Sequence, residues 1–184
     1  MSKHMKEYKP STLITMGYEW LSAAISAVVV VAILFSGILR IVNVSGRSME
    51  GTLHDGDRLM LSNLFYEPDY GDIVVILREN NNTPLIKRVI GLPGDSIRID
   101  EVTGQVYRNG ELLNEPYISG VKTEQVNWRE EREIPEDMIF VMGDNRNPGR
   151  SDDSRGMGAL PMRNVVGKVL FRLSPDIGFI TNGE

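Results

Sequence analysis

Hydrophobic and polar positions divide the chain near Arg40. Residues 20–39, WLSAAISAVVVVAILFSGIL, run for 20 positions without a charge between Glu19 and Arg40, enough for a helix to cross a bilayer core. Ser22, Ser26 and Ser36 are the clearly polar positions there, and no polar stripe marks an outer face as it would on a buried globular helix. A cleavable leader would have a shorter apolar run, about 7–15 residues, closed by a small-x-small site. Here the run is succeeded by Arg40-Ile41-Val42-Asn43-Val44. The pattern predicts a permanent anchor over residues 20–39, after an N-terminal segment 1–19 and before a globular domain 40–184. Lys3, Lys6 and Lys9 before the span, against Arg40 and Arg47 after it, favour a cytoplasmic N-terminus. The localisation this predicts is a single-pass protein of the cell membrane with its domain extracytoplasmic.

Beyond the anchor the period changes. Residues 57–62 (DRLMLS), 72–77 (DIVVIL), 85–91 (LIKRVIG), 96–100 (SIRID), 138–142 (MIFVM) and 165–173 (VVGKVLFRL) are short runs rich in branched apolar side chains, which read as strands. Residues 105–113, QVYRNGELL, carry Asn109-Gly110 at their centre, a pair that favours a two-residue hairpin turn because both positions tolerate positive φ. The charged stretch 122–136 is expected to be an exposed excursion. No helical period is sustained outside the anchor, so the fold expected is mainly β, an antiparallel β-sheet domain on a single N-terminal transmembrane helix.

Composition narrows the chemistry. The chain has 184 residues, no cysteine, two histidines and a formal charge of −5. Disulfides, thiol nucleophiles and cysteine metal sites are excluded. A Ser-His-Asp triad would have to use His54, only six positions from Ser48, and His54 reads as a surface turn residue. Acidic and basic residues are mixed, without the basic stripe of a nucleic-acid binder, and no cofactor or metal is expected.

Three stretches carry candidate chemistry. The first is Gly46-Arg47-Ser48-Met49-Glu50-Gly51-Thr52-Leu53, the second Lys87-Arg88-Val89-Ile90-Gly91-Leu92-Pro93-Gly94-Asp95. The third is Gly143-Asp144-Asn145-Arg146 with Ser151-Asp152-Asp153-Ser154-Arg155-Gly156. Strand alternation puts Leu85, Lys87 and Val89 on one face and Ile86, Arg88 and Ile90 on the other. A lysine flanked by Leu and Val can be desolvated, which lowers its pKa; the bland alternative is an edge strand with both cations reaching to water. At an ordinary pKa of about 10.4, fewer than roughly one lysine in a thousand is neutral at pH 7, whereas at about 8 nearly one in ten is. Only the neutral amine can take the proton of a serine hydroxyl.

Taken together and in this order after an anchor, the three stretches resemble type I signal peptidases, and the single span resembles the shorter enzymes of Gram-positive bacteria. The resemblance implies a membrane-bound serine endopeptidase that removes N-terminal signal peptides from exported preproteins. By motif, Ser48 matches the family's nucleophile and Lys87 its general base. Ser151 matches a second hydroxyl that orients the lysine. Asp144, Asp153 and Arg155 match a supporting polar network, and Met49 comes directly after the nucleophile as in the family. Signal peptides of secretory preproteins, the lipid bilayer and the protein export machinery are the implied partners, with small residues expected at the first and third positions before the cut. Only seven residues, from Ile41 to Arg47, lie between Arg40 at the end of the expected anchor and Ser48; extended they reach at most about 23–25 Å, so the site is expected close to the membrane surface.

The sequence departs from that pattern in places. Gly51 stands where a proline is usual, and the stretch from Arg146 to Ser151 is two residues longer than the common form, which leaves Ser154 as a competing alignment. Gly46 occupies the place of an oxyanion-hole serine in some relatives, so the Ser48 backbone N–H is expected to dominate there, with Gly46's backbone or a water assisting. A catalytically inactive membrane-tethered peptide-binding protein and a self-cleaving Ser/Lys regulator of related fold are the alternatives. Ser119-Gly120-Val121-Lys122 also fits the Ser-x-x-Lys of penicillin-interacting enzymes, but the chain lacks Lys-Thr-Gly.

Overall fold

The computed structural model describes residues 12–78, 83–118 and 131–180; the Ser-x-x-Lys match at 119–122 lies outside them. The chain divides into two units, residues 1–38 and 39–184. In the first, helix α1 (Thr12–Ile38) runs for 27 residues, about 40 Å at 1.5 Å per residue. Its stretch Thr12–Ile33, 22 residues of mean hydropathy 1.7, is long and apolar enough to cross a membrane by length and composition. The hydroxyls of Thr15, Ser22 and Ser36 donate to the carbonyls of Thr12, Glu19 and Ile33 three residues back, so these polar groups are satisfied within the helix. The helix begins earlier than the expected span, because Glu19 limits the uncharged run without interrupting the backbone ladder. Leu39 belongs instead to the first strand.

The second unit is mainly β and antiparallel, as expected. Its larger sheet contains β1 (Leu39–Asn43), β2 (Arg58–Ser62), β3 (Ile73–Leu77), β4 (Pro84–Gly91), β9 (Met138–Met142), β10 (Leu160–Pro161), β11 (Val165–Ser174) and β12 (Gly178–Phe179). The order is β1-β2-β11-β3-β4-β9-β10, with β12 on β11. A smaller sheet contains β5 (Ser96–Ile99), β6 (Val106–Arg108), β7 (Glu111–Leu112) and β8 (Arg132–Glu133), in the order β7-β6-β5-β8. The β6–β7 hairpin turns at Asn109 and Gly110, with φ of 53° and 81°, the positive pair that the sequence anticipates. Where stretch 122–136 is described, residues 131–133, 135 and 136 are exposed as expected, but Arg132 and Glu133 pair with Ile97 and Ser96, and Ile134 is buried in an apolar cluster with Ile90, Ile97 and Phe140. Residues 119–130 are outside the description.

Strand β3 shows how the core sorts. Its run IVVIL is buried on both faces: Ile73 and Val75 join Met49, Leu53, Leu59, Leu61 and Ile86, while Val74 and Ile76 join Val89, Ile139 and Val141. Residues directly opposite on antiparallel strands share a face. Lys87 stands opposite Val74, and Arg88 opposite Ile73, so the two cations of β4 point to opposite sides. Both are buried, at 2% and 0% exposure. Neither reaches out to water.

Candidate active site

Ser48 stands on the loop between β1 and β2. The ends of that loop are tied by Val44 N–H to Asp57 O and Gly56 N–H to Val44 O. Met49 and Leu53 sink into the core cluster beneath, and Leu53 and Thr52 both donate backbone N–H groups to Met49 O. The apolar pair fixes the loop from below and leaves Ser48 half-buried at its crest. Gly51 has φ of 107°, a conformation closed to proline; here the turn takes a course that the usual residue would not permit.

Lys87 reaches this serine from β4. Its Nζ donates to Ser48 Oγ at 2.8 Å and to Ile86 O at 3.0 Å. Burial among apolar neighbours pulls the amine down from 10.5 to about 8; Asp153, Asp152 and Asp144 oppose this through their negative charge, and Arg155 adds to it. Near pH 7 about one molecule in ten then carries a neutral amine. A shallow cleft borders the pair, lined by Val42, Val44, Met49, Pro84, Leu85 and Ile86.

The third motif closes around the first two. Asp153 caps the one-turn helix α2 (Ser154–Met157) by accepting from Arg155 N–H. It also accepts from Arg155 Nε and Nη2 at 2.8 Å each, from Gly143 N–H at 2.9 Å and from Ser151 Oγ at 2.5 Å. Burial alone would raise this carboxyl; the Arg155 guanidinium, the Gly143 N–H and the Ser151 hydroxyl outweigh it and hold it below the ordinary range. Gly143 is where the serines meet. A Cβ there would come within 2.3 Å of Ser151 Oγ and 2.4 Å of Ser48 O, so only glycine allows the strand end to pass between them.

Ser151 donates to Asp153, and among the described residues no hydrogen bond joins it to Lys87, whose amine donates to Ser48 Oγ and Ile86 O. Gly46 N–H donates to Asp55 Oδ1 at 2.8 Å, which engages the backbone group expected to assist an oxyanion. The Ser154 hydroxyl accepts from the buried Val141 N–H at 3.0 Å, and among the described residues no hydrogen bond joins it to Lys87.

Arg88, on the far face of β4, is fully engaged. It donates to both oxygens of Asp144 at 2.9 and 2.7 Å and to Gly71 O at 2.8 Å, and its guanidinium stacks 3.9 Å over the Tyr117 ring. Arg146 pairs with Glu115 and donates to Gly143 O at 2.8 Å. Sequence reasoning does not single out Asn145, Glu115, Tyr117 or Thr52. Asn145 and Thr52 lie within candidate motifs, masked by neighbours with stronger chemistry; Glu115 and Tyr117 come after a hairpin with no local signal of what they would meet.

A β unit that buries a lysine against a loop serine defines a Ser/Lys arrangement, and comparison with known proteins gives it a family. The family model described as signal peptidase, peptidase S26, matches residues 17–174. The chain belongs to that family and is a peptidase. It is similar to signal peptidase I of Bacillus licheniformis, at 36% identity over 182 residues, covering 93% of this chain and 96% of that protein. Signal peptidase IB of Staphylococcus aureus strain N315 is 32% identical over 182 residues, covering 89% and 93%. Among solved structures, a signal peptidase I from Enterococcus faecalis V583 aligns at 31% identity with a TM-score of 0.47, covering 56% of this chain and 97% of that one.

Proposed function

We propose that this protein is a membrane-anchored endopeptidase that cuts signal peptides from exported preproteins with Ser48 as nucleophile and Lys87 as general base. The observation that carries the reading is the 2.8 Å approach of a buried, pKa-lowered Lys87 amine to Ser48 Oγ. The neutral amine accepts the hydroxyl proton as Oγ bonds to the scissile carbonyl carbon. The resulting oxyanion is met by the Ser48 backbone N–H, which has no hydrogen-bond partner among the described residues and so is free to donate. The lysine ammonium then passes its proton to the leaving amine as the C–N bond breaks. A water, deprotonated by Lys87, hydrolyses the acyl-serine and returns Oγ its proton by the reverse path.

Asp153, Arg155, Ser151 and Asp144 act as support: they hold the 143–146 and 151–155 segments against the dyad. An extended substrate lying along the cleft between residues 42–44 and 84–86 would present small side chains to its apolar lining. Helix α1 serves as the anchor, with the N-terminus cytoplasmic and the β unit on the outer side, where precursors leave the export machinery.

The test is processing of a membrane-presented preprotein by the full-length protein and by Ser48→Ala and Lys87→Ala. Both variants should be folded and inactive, since members of one catalytic unit fail together. A well-folded Lys87→Ala protein that still processes the precursor at native rate would overturn the dyad. Absence of cleavage by the native protein would favour a peptide-binding role.

A further inference from the structure

A base beside a serine is insufficient unless Oγ is aimed, and the loop carrying Ser48 is held from above as well as below. Asn145, 2% exposed, makes that upper contact. Its backbone N–H donates to Ser48 O at 3.0 Å, and its side-chain amide donates to Arg47 O at 2.9 Å and to Glu50 Oε2 at 3.2 Å. Its Oδ1 accepts from Asn147 N–H at 3.2 Å and Asn147 Nδ2 at 2.9 Å. With acceptors on one side and donors on the other, the amide has a single satisfied orientation. Residues 47, 48 and 50 are thereby fixed to one residue that brackets the nucleophile.

The segment that presents Asn145 is itself staked on both sides. Asp144 is locked to Arg88, and Arg146 to Glu115 and Gly143 O. The fold of the Ser48 loop has separate supports in buried Met49 and Leu53 and in the Val44–Asp57 pairing. What the Asn145 amide adds is direction at the crest, where the loop's own link is the Glu50 N–H to Arg47 O contact of 3.2 Å.

We infer that Asn145 is a positioning residue for the nucleophile: its side-chain amide sets the rotation of the 47–50 crest, and hence the line along which Ser48 Oγ meets both Lys87 and the scissile carbonyl. The inference rests on the dyad reading. Asn145 acts on the serine and not on the base, because its bonds run to residues 47, 48, 50 and 147 while those of the Lys87 amine run to Ser48 and Ile86.

The experiment compares full-length protein in detergent micelles with Asn145→Ala and Asn145→Asp, using a preprotein substrate and rates normalised to the folded fraction from circular dichroism. Misplacement of a reacting group by a fraction of an ångström to one ångström lowers kcat by about 10- to 100-fold. Both variants should show that loss with KM within about threefold of native, since the interaction lost bears on the reacting geometry and not on uniform binding. In Asn145→Ala, which adds no charge, the acid limb of the pH–rate profile should not move. Asn145→Asp keeps the shape but sets a carboxylate against Glu50 and Arg47 O; adding Glu50→Gln supplies a donor and should recover about 3- to 10-fold of the lost rate. A folded Asn145→Ala protein with kcat within about threefold of native overturns the inference. So does a loss confined to KM, a shifted acid limb in Asn145→Ala, or no recovery in the double variant. Lys87→Ala, run alongside, separates the two readings: if it remains active the dyad falls, whereas a dead Lys87→Ala beside a fully active Asn145→Ala removes this inference alone.

Discussion

Replacing Lys87 by methionine keeps the length of the side chain and removes its charge, with a consequence for stability that changes sign with pH. Lys87 is 2% exposed, and the pKa of its amine falls from 10.5 to about 8 in the folded protein. At 1.36 kcal/mol per unit, the protonated amine costs the native state about 3 kcal/mol. Proton counting sets the direction. Between about pH 8 and 10.5 the unfolded chain holds this proton and the folded chain does not, so native stability rises with pH across that window; below it the whole cost is present. Methionine has no such dependence. It does forfeit the hydrogen bonds to Ser48 Oγ and Ile86 O, each worth about 0.5–1.5 kcal/mol. The catalytically dead Lys87→Met protein should therefore be more stable than native by roughly 1–2 kcal/mol at pH 6.5 and less stable near pH 10.5. Urea unfolding of both full-length proteins in the same detergent, monitored by circular dichroism at both pH values, measures the difference. Other titrating groups are common to the two proteins and cancel. A stability difference that stays constant across the range would refute the desolvated lysine.

Further substitutions separate support from chemistry. Arg88→Lys would be tolerated if this side chain reached solvent, but the bidentate pair with buried Asp144 leaves lysine unable to replace the planar fork; urea unfolding should show a loss of about 1.5–3 kcal/mol. Ser154→Ala should destabilise by about 1–3 kcal/mol by orphaning the Val141 N–H, with kcat/KM per folded molecule unchanged. Ser151→Ala should behave oppositely: by removing a donor from Asp153 it exposes Lys87 to more of that negative charge, raises the lysine pKa, and lowers the rate at pH 7 by about 2- to 10-fold. A shift of its acid limb toward higher pH is the accompanying sign.

Strands β2, β3, β4, β5, β9 and β11 were legible because their apolar runs are bounded by turns, and the Asn109-Gly110 hairpin because its backbone demands those residues; the short β8, β10 and β12 carry too few residues to show a period. The opposed faces of Lys87 and Arg88 came from alternation alone. Burial of Arg88 did not, since a cation is buried only when a partner meets it, and Asp144 lies 56 positions away along the chain. Strand β1 was hidden for a related reason: it begins directly after the anchor, and pairing with β2 rather than local composition ends the helix at Ile38. The Ser48–Lys87 approach was expected from the resemblance, while the bond from Ser151 to Asp153, and Asn145's grip on residues 47, 48 and 50, depend on how two loops fold against each other. Chain spacing gives no access to such contacts.

The pH dependence of kcat/KM on a preprotein substrate, from pH 5 to 10, tests the central claim that a neutral Lys87 activates Ser48. Activity requires the unprotonated amine, so the rate should climb about tenfold per pH unit on the acid side and reach half its plateau near pH 8, where burial sets the lysine. A midpoint at the ordinary carboxylate value of about 4, or one near about 6.5 as for histidine, would assign the base to another group and contradict the dyad.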